Sequence, residues 1–191
     1  METLLGIAVG IGLSAACGFR VFVPLLVMNL ASLSGHLHLS PGFAWIGSNY
    51  ATIAFATATV VEVFGYYIPW LDHVLDIVAT PAAIIAGTIA TASTVTDMSP
   101  FLKWTLALIA GGGIAGLVQG TTVALRAKSS VSTAGIGNPL ISTMELVGSI
   151  ITALLAIAVP ILCLALIAFL CIFVIRTAGR FIFGRIKMNQ R

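Results

Sequence analysis

Charge is what this chain has least of. Charged residues make up 8% of its 191 positions, nine Lys and Arg against six Asp and Glu, where soluble domains carry roughly 25%. So few charges cannot cover a water-facing surface. With 59% hydrophobic residues and a mean hydropathy of +1.12, the composition is that of a polytopic helical membrane protein. An outer-membrane barrel is excluded because its strands would alternate apolar and polar residues. A membrane domain filling residues 1–191 leaves no room for a soluble catalytic domain.

Other absences narrow the function. The three cysteines, Cys17, Cys163 and Cys171, lie in apolar runs without metal-ligand spacing, so they read as packing residues. There is no glycine-rich phosphate loop after a strand, no zincin helix, no G-x-S-x-G elbow and no Cys/His pairing. No enzyme and no cofactor is expected. The opening METLLG lacks a basic n-region, so no cleaved signal peptide is expected. The formal net charge of +3 reports membrane topology, not nucleic-acid binding.

What the chain does have is long apolar runs. They cover residues 4–33, 45–67, 77–96 with Pro81 in the first turn, 101–125, and 144–175. Between them lie polar stretches at 36–49, 69–76 and 97–100 and a Ser/Thr/Gly-rich loop at 129–143. Aromatic residues at the ends of the second run, Trp45/Tyr50 and Tyr66/Tyr67/Trp70, are spaced as interfacial belts. The last run would be about 48 Å long as one helix, too long for a hydrocarbon core of ~30 Å. Pro160 near its centre either kinks one long helix, giving five segments with Arg126 and Lys128 facing outward, or marks a tight turn between two short ones. The turn, giving six segments, is the favoured reading. It places both Arg126/Lys128 and the basic tail, 176–191, in the cytoplasm, as the positive-inside rule asks.

Two echoes link the possible halves, 1–98 and 99–191. Gly10, Ser14 and Gly18 repeat at spacing four, as do Gly112, Gly116 and Gly120; such small residues let helices approach closely. Glu62-x-x-Gly65 is matched by Glu145-x-x-Gly148. A 3+3 inverted repeat, an architecture of secondary transporters, would account for both.

The few intramembrane charges carry whatever chemistry exists. Arg20 sits inside the first run, where an arginine costs at least ~2.5–3.5 kcal/mol unless it finds water or a partner. Glu62 is its best candidate partner and Glu145 the second. Asp72 and Asp76, at i and i+4, share a helix face if their connector is helical. Asn138 lies in the loop before Glu145. Together Arg20, Glu62, Asp72, Asp76, Asn138 and Glu145 form a candidate site for a substrate or coupling ion, the carboxylates relaying protons or holding a hard cation. Against this stands a fixed salt bridge, with Asp72 and Asp76 solvated and Glu145 favoured by its helix dipole. His36, His38 and His73 offer only weak metal-site patterns.

Three blocks in order resemble a known family. They are Gly18-Phe19-Arg20-Val21-Phe22-Val23-Pro24; Glu62 with Ile68-Pro69-Trp70-Leu71-Asp72-x-x-x-Asp76, Thr80-Pro81-Ala82-Ala83 and Gly87; and Arg126-Ala127-Lys128-Ser129-Ser130 with Thr133-Ala134-Gly135-Ile136-Gly137-Asn138-Pro139 and Glu145. Over nearly the whole chain they are similar to the small bacterial membrane proteins catalogued as domain of unknown function 4126. The resemblance implies a bacterial inner-membrane protein and no activity. It also implies a basic residue before Pro81, where this chain has Thr80.

The leading expectation is a small dimeric transporter coupled to protons or a cation through an Arg20/carboxylate centre. A second is lipid or isoprenoid-phosphate handling, with Arg20, Arg126 and Lys128 on the phosphate. A third is a structural or assembly subunit. Membrane lipids are the expected surroundings in each case.

Overall fold

Prolines set where the helices of this chain begin and break. The structure, a computed structural model, describes residues 2–68, 71–133 and 136–188, without the side chains of Glu2, His73 and 178–188. His73, Trp70, Ala134, Gly135 and the side chains of the basic tail beyond Arg176 therefore lie outside the described residues. The helices are α1 (Glu2–Phe19), α2 (Phe22–Leu33), α3 (Asn49–Gly65), α4 (Leu71–Thr94), α5 (Pro100–Leu106), α6 (Gly113–Thr133), α7 (Asn138–Ala158) and α8 (Pro160–Met188). A 3-10 turn (Pro41–Gly47) precedes α3, and a π-helical stretch (Ala107–Gly112) joins α5 to α6 without a gap.

The first apolar run is not one helix. Pro24 has no N–H to give the Arg20 carbonyl, and its ring excludes that carbonyl from helical position. The chain breaks at Arg20 and Val21 and turns into α2. Both ends of the α1–α2 pair then lie at one end of α4. Gly6 packs on the backbone of Thr94, and the Ser40 N–H donates to the Ser93 carbonyl at 2.7 Å. At the other long run the expected division holds. Val159, before Pro160, is at φ −140° and ψ 70°, outside the α region that a following proline disfavours, and separates α7 from α8.

Three boundaries differ from expectation. The connector 71–76 is the start of α4, so Pro81 lies well inside that helix rather than in its first turn. Most of the expected loop at 129–143 is helical, because α6 runs to Thr133 and α7 begins at Asn138. Glu145 consequently sits two turns into α7 and gains little from its dipole. Among the described residues, four helices are long and apolar enough to cross a membrane: Val74–Thr94, Pro100–Thr133, Asn138–Ala158 and Pro160–Thr177. Thr3–Phe19 and Phe22–Leu33 are shorter apolar helices.

Helix α1 is the axis of the bundle, packed by α4, α7, α6 and α8. The contacts fix its direction: Gly10 meets Thr91, and the Ser14 hydroxyl donates to the Gly87 carbonyl at 2.6 Å, so α1 and α4 run antiparallel. Gly18 meets Ala115 and Val118 of α6. Gly112 and Gly116 pack on Ile84 of α4, whereas Gly120 faces open space. The small-residue ladders therefore work as close-approach faces, the second over only part of its length.

The polarity of the bundle is inverted relative to a water-soluble one. Ile53, Val61, Ile77, Leu108, Ile151 and Phe169 are exposed, while Ser14, Asn29, Thr91, Gln119 and Ser149 are buried. Lipid tails are as apolar as leucine, so such a bundle is held by close packing and interhelical hydrogen bonds rather than by the hydrophobic effect. This is a multi-pass membrane architecture. All three cysteines are free, and Cys17 and Cys163 are buried.

Candidate functional site

The break between α1 and α2 creates the site. Ending α1 at Arg20 leaves the N–H groups of Val21 and Phe22 without helical acceptors. Glu62, near the end of α3, supplies them: its Oε1 accepts from Val21 at 2.8 Å and its Oε2 from Phe22 at 3.0 Å. Glu62 is thus a side-chain cap for α2 rather than the close ion-pair partner of Arg20 that the sequence favoured. Backbone amides in a low-dielectric interior compete well for a carboxylate because water does not replace it.

The ion pair of Arg20 is with Glu145, Nη2 to Oε2 at 3.5 Å. The same nitrogen donates to the Ser142 carbonyl at 3.0 Å and to its hydroxyl at 2.5 Å. Glu145 is shared with a second arginine. Arg126 of α6 donates from Nε to Glu145 Oε1 at 3.1 Å and from Nη2 to Oε2, while its Nη1 reaches Asp76 Oδ1 at 3.1 Å. Tyr66, directly after α3, contacts both cations, with the guanidinium carbons of Arg20 and Arg126 at 3.9 and 4.0 Å from its ring centre. Asn138 extends the cluster, its amide donating to Asp72 Oδ2 at 2.8 Å and to the Ser130 hydroxyl at 2.9 Å.

Arg20, Glu62, Asp72, Asp76, Arg126, Asn138 and Glu145 are all in this cluster, drawn from α1, α3, α4, α6 and α7. Lys128 is exposed on α6 and is not part of it. Asp72 is buried at 2% exposure and bonded to Asn138, so it is not a solvated interfacial charge. Tyr66, read from the sequence as part of an interfacial belt, is also buried, whereas Tyr50 and Trp45 are exposed as belt residues would be. The signal for Tyr66 was its spacing, four residues after Glu62 and so on the same face. Ser142 was missed as well. It lies on a polar stripe of α7, Asn138, Ser142, Glu145 and Ser149, which is the buried face of that helix. Among the described residues no three His, Cys, Asp or Glu are grouped to hold a metal ion.

Two openings flank the cluster. A pocket of about 350 Å³ is lined by Asp72, Asp76, Arg126, Ser130 and Asn138 together with the apolar Ile77, Val123 and Ala127. On the other side an apolar groove of about 540 Å³ runs between α2, α3 and α4, from Ile53 and Ala54 to Glu62 and Tyr66. Arg20 lines neither of them; it is 1% exposed, and its Nε and Nη1 have no hydrogen-bond partner among the described residues.

Fold and site define a multi-pass helical membrane protein with a charge centre buried at a helix break. The chain belongs to the family described as Domain of unknown function (DUF4126), which matches residues 7–180. No curated protein and no solved structure matches it.

Proposed function

We propose that the protein is a small transporter of the bacterial inner membrane, coupled to protons through the Arg20/Arg126–carboxylate centre. One observation carries this reading: Glu145 is shared by two arginines on Tyr66, and one of them, Arg126, lines a pocket. A proton on Glu145 would release two cations at once. Arg20 faces it from α1, Arg126 from α6, Tyr66 from the end of α3, and Asp76 of α4 takes part through Arg126. Intramembrane carboxylates bonded to arginines in this way are common elements of proton relays. A static assembly subunit would be better served by a centre without openings on either side.

Six apolar units suit this reading: the α1–α2 pair, α3, α4, α5–α6, α7 and α8. If the α1–α2 pair enters and leaves on one side, the five units that follow put the basic tail and Arg126/Lys128 on one face, the cytoplasmic one by the positive-inside rule. The N-terminus then lies on the opposite face. An inverted repeat has less support, because Glu62 ends its helix while Glu145 lies early in its own. The protein is expected to act as a dimer within membrane lipids.

The test is flux. In proteoliposomes carrying an internal pH dye, the wild type should move protons faster than empty liposomes under an imposed potential. Glu145→Gln, correctly folded, should fall to the empty-liposome rate. Undiminished flux in Glu145→Gln would refute the assignment.

A further inference from the structure

Arg20 holds more donor capacity than its surroundings use. Only Nη2 is engaged, by Ser142 and Glu145, while Nε and Nη1 are buried and unpartnered among the described residues. Buried donors left unsatisfied are destabilising, more so on a charged group, so such an arrangement is costly without a role. Three free N–H bonds on a cation call for an acceptor with several oxygens and a negative charge.

The apolar groove does not reach this guanidinium directly, but two of its immediate neighbours line it. Val21, next in sequence to Arg20, lines it, as does Tyr66, on whose ring Arg20 lies. Its flanks are lipid-facing side chains, Ile53, Val61 and Val78, all exposed. Its volume of about 540 Å³ falls in the range of ligand pockets, ~300–1,000 Å³. Within a bilayer such a groove gains nothing by excluding water, because lipid tails match it. A chain lying there is placed rather than selected, and the selection falls to the head group on Arg20. Glu62, the carboxylate at this end, has both oxygens occupied by the Val21 and Phe22 amides. The positive end of α2 offsets its charge.

We infer that Arg20 binds the oxyanion head of an amphiphile, a phosphate-type group, whose apolar chain lies in the groove between α2, α3 and α4. The head group displaces Glu145 from Arg20, and Tyr66 turns aside to admit it. This names the substrate class of the transport centre and rests on the transport reading.

Binding can be measured without flux. The purified protein in neutral maltoside detergent is titrated with dodecyl phosphate and, in separate arms, with inorganic phosphate and with more of the neutral detergent. Thermal unfolding is followed by intrinsic fluorescence and adducts by native mass spectrometry. Dodecyl phosphate should raise the unfolding midpoint and appear as one adduct per chain; the other two arms should give no shift. Arg20→Lys should weaken binding by about tenfold or more, since it keeps the charge but loses the fork of donors. Ala58→Phe, which fills the groove and leaves Arg20 in place, should do the same, checked by a wild-type elution profile. No shift with dodecyl phosphate would overturn the inference. An equal shift with inorganic phosphate would overturn the chain's place in it, and unaltered affinity in both variants would overturn the site. Flux without amphiphile binding would defeat this assignment alone, and binding without flux would defeat the transport reading alone.

Discussion

The carboxylate of Glu62 accepts the backbone N–H of Val21 at 2.8 Å, across a sequence separation of 41 residues. With the matching bond from Phe22 it closes the start of α2 that Pro24 opens. A helix break inside an apolar bundle survives only if its orphan groups find partners, and here one side chain serves two of them.

Shortening or neutralising that clasp should separate capping from charge. Glu62→Gln keeps one amide-accepting oxygen and should lower stability by about 1 kcal/mol, in the range of cap losses. Glu62→Leu leaves two buried N–H groups without an acceptor and should cost about 2–6 kcal/mol, at ~1–3 per group. Thermal unfolding in detergent, with hydrogen exchange at Val21 and Phe22, measures both. Equal stability of the Gln and Leu variants would show that the cap contributes nothing.

The charge centre should behave as one unit. Glu145→Leu leaves Arg126 with Asp76 and takes the ion pair from Arg20, and removing one partner of a buried pair costs about 3–5 kcal/mol. The double variant Arg126→Leu/Glu145→Leu should recover the part of that loss due to Arg126, since replacing both partners by apolar groups is often near neutral, and leave the part due to Arg20. A double-mutant cycle on unfolding free energy reads the coupling directly. Strict additivity of the two single losses would contradict the geometry.

The charges themselves were legible in the sequence because each is an anomaly in an apolar run. Arg20, Glu62, Asp76 and Glu145 had to meet partners somewhere in so poor a field. Their pairing was not legible. Glu62 appeared the natural mate of Arg20 until Pro24 was seen to free two amides beside it, a consequence of backbone geometry rather than composition. Tyr66 was hidden differently, because an aromatic at a helix end suits a membrane interface and a cation-bearing interior equally.

Tyr66 should be needed for its ring and not for its hydroxyl. It contacts two guanidinium groups, and each desolvated cation–π contact contributes about 2 kcal/mol. Tyr66→Phe should stay within about 0.5 kcal/mol of wild type, the scatter of an undisturbed site. Tyr66→Leu should lose roughly 1–4 kcal/mol, two contacts at ~0.5–2 each. Unfolding curves of the two variants decide, and a larger loss in Tyr66→Phe than in Tyr66→Leu would refute the stacking account.

Glycine positions along the axis should divide sharply. A Cβ at Gly87 would stand 2.6 Å from the Ala115 Cβ and 2.9 Å from the Gly111 carbonyl, forcing α4 from α6. Gly87→Ala should destabilise by about 1–3 kcal/mol, the cost of overpacking. A Cβ at Gly120 would meet nothing within 4 Å, so Gly120→Ala should stabilise α6 by roughly 0.5–1 kcal/mol. Comparable losses at both positions would mean that the α4–α6 contact is not where the structure has it.

Accessibility from the two faces of the membrane tests the path of the chain. His38, exposed after α2, lies two residues before Ser40, which bonds Ser93 at the end of α4. Ser132, exposed near the end of α6, lies at the opposite end of the bundle, beside the cluster that holds the start of α4. In a background with the three native cysteines replaced by alanine, His38→Cys and Ser132→Cys should react with a membrane-impermeant maleimide from opposite faces. Ser132→Cys should share its face with the basic tail, and a cysteine placed at Thr3 should label with His38→Cys. Labelling of Thr3→Cys and His38→Cys from opposite faces would mean that α1 and α2 cross the membrane as one long helix. In that case Pro24 would mark a kink rather than a return.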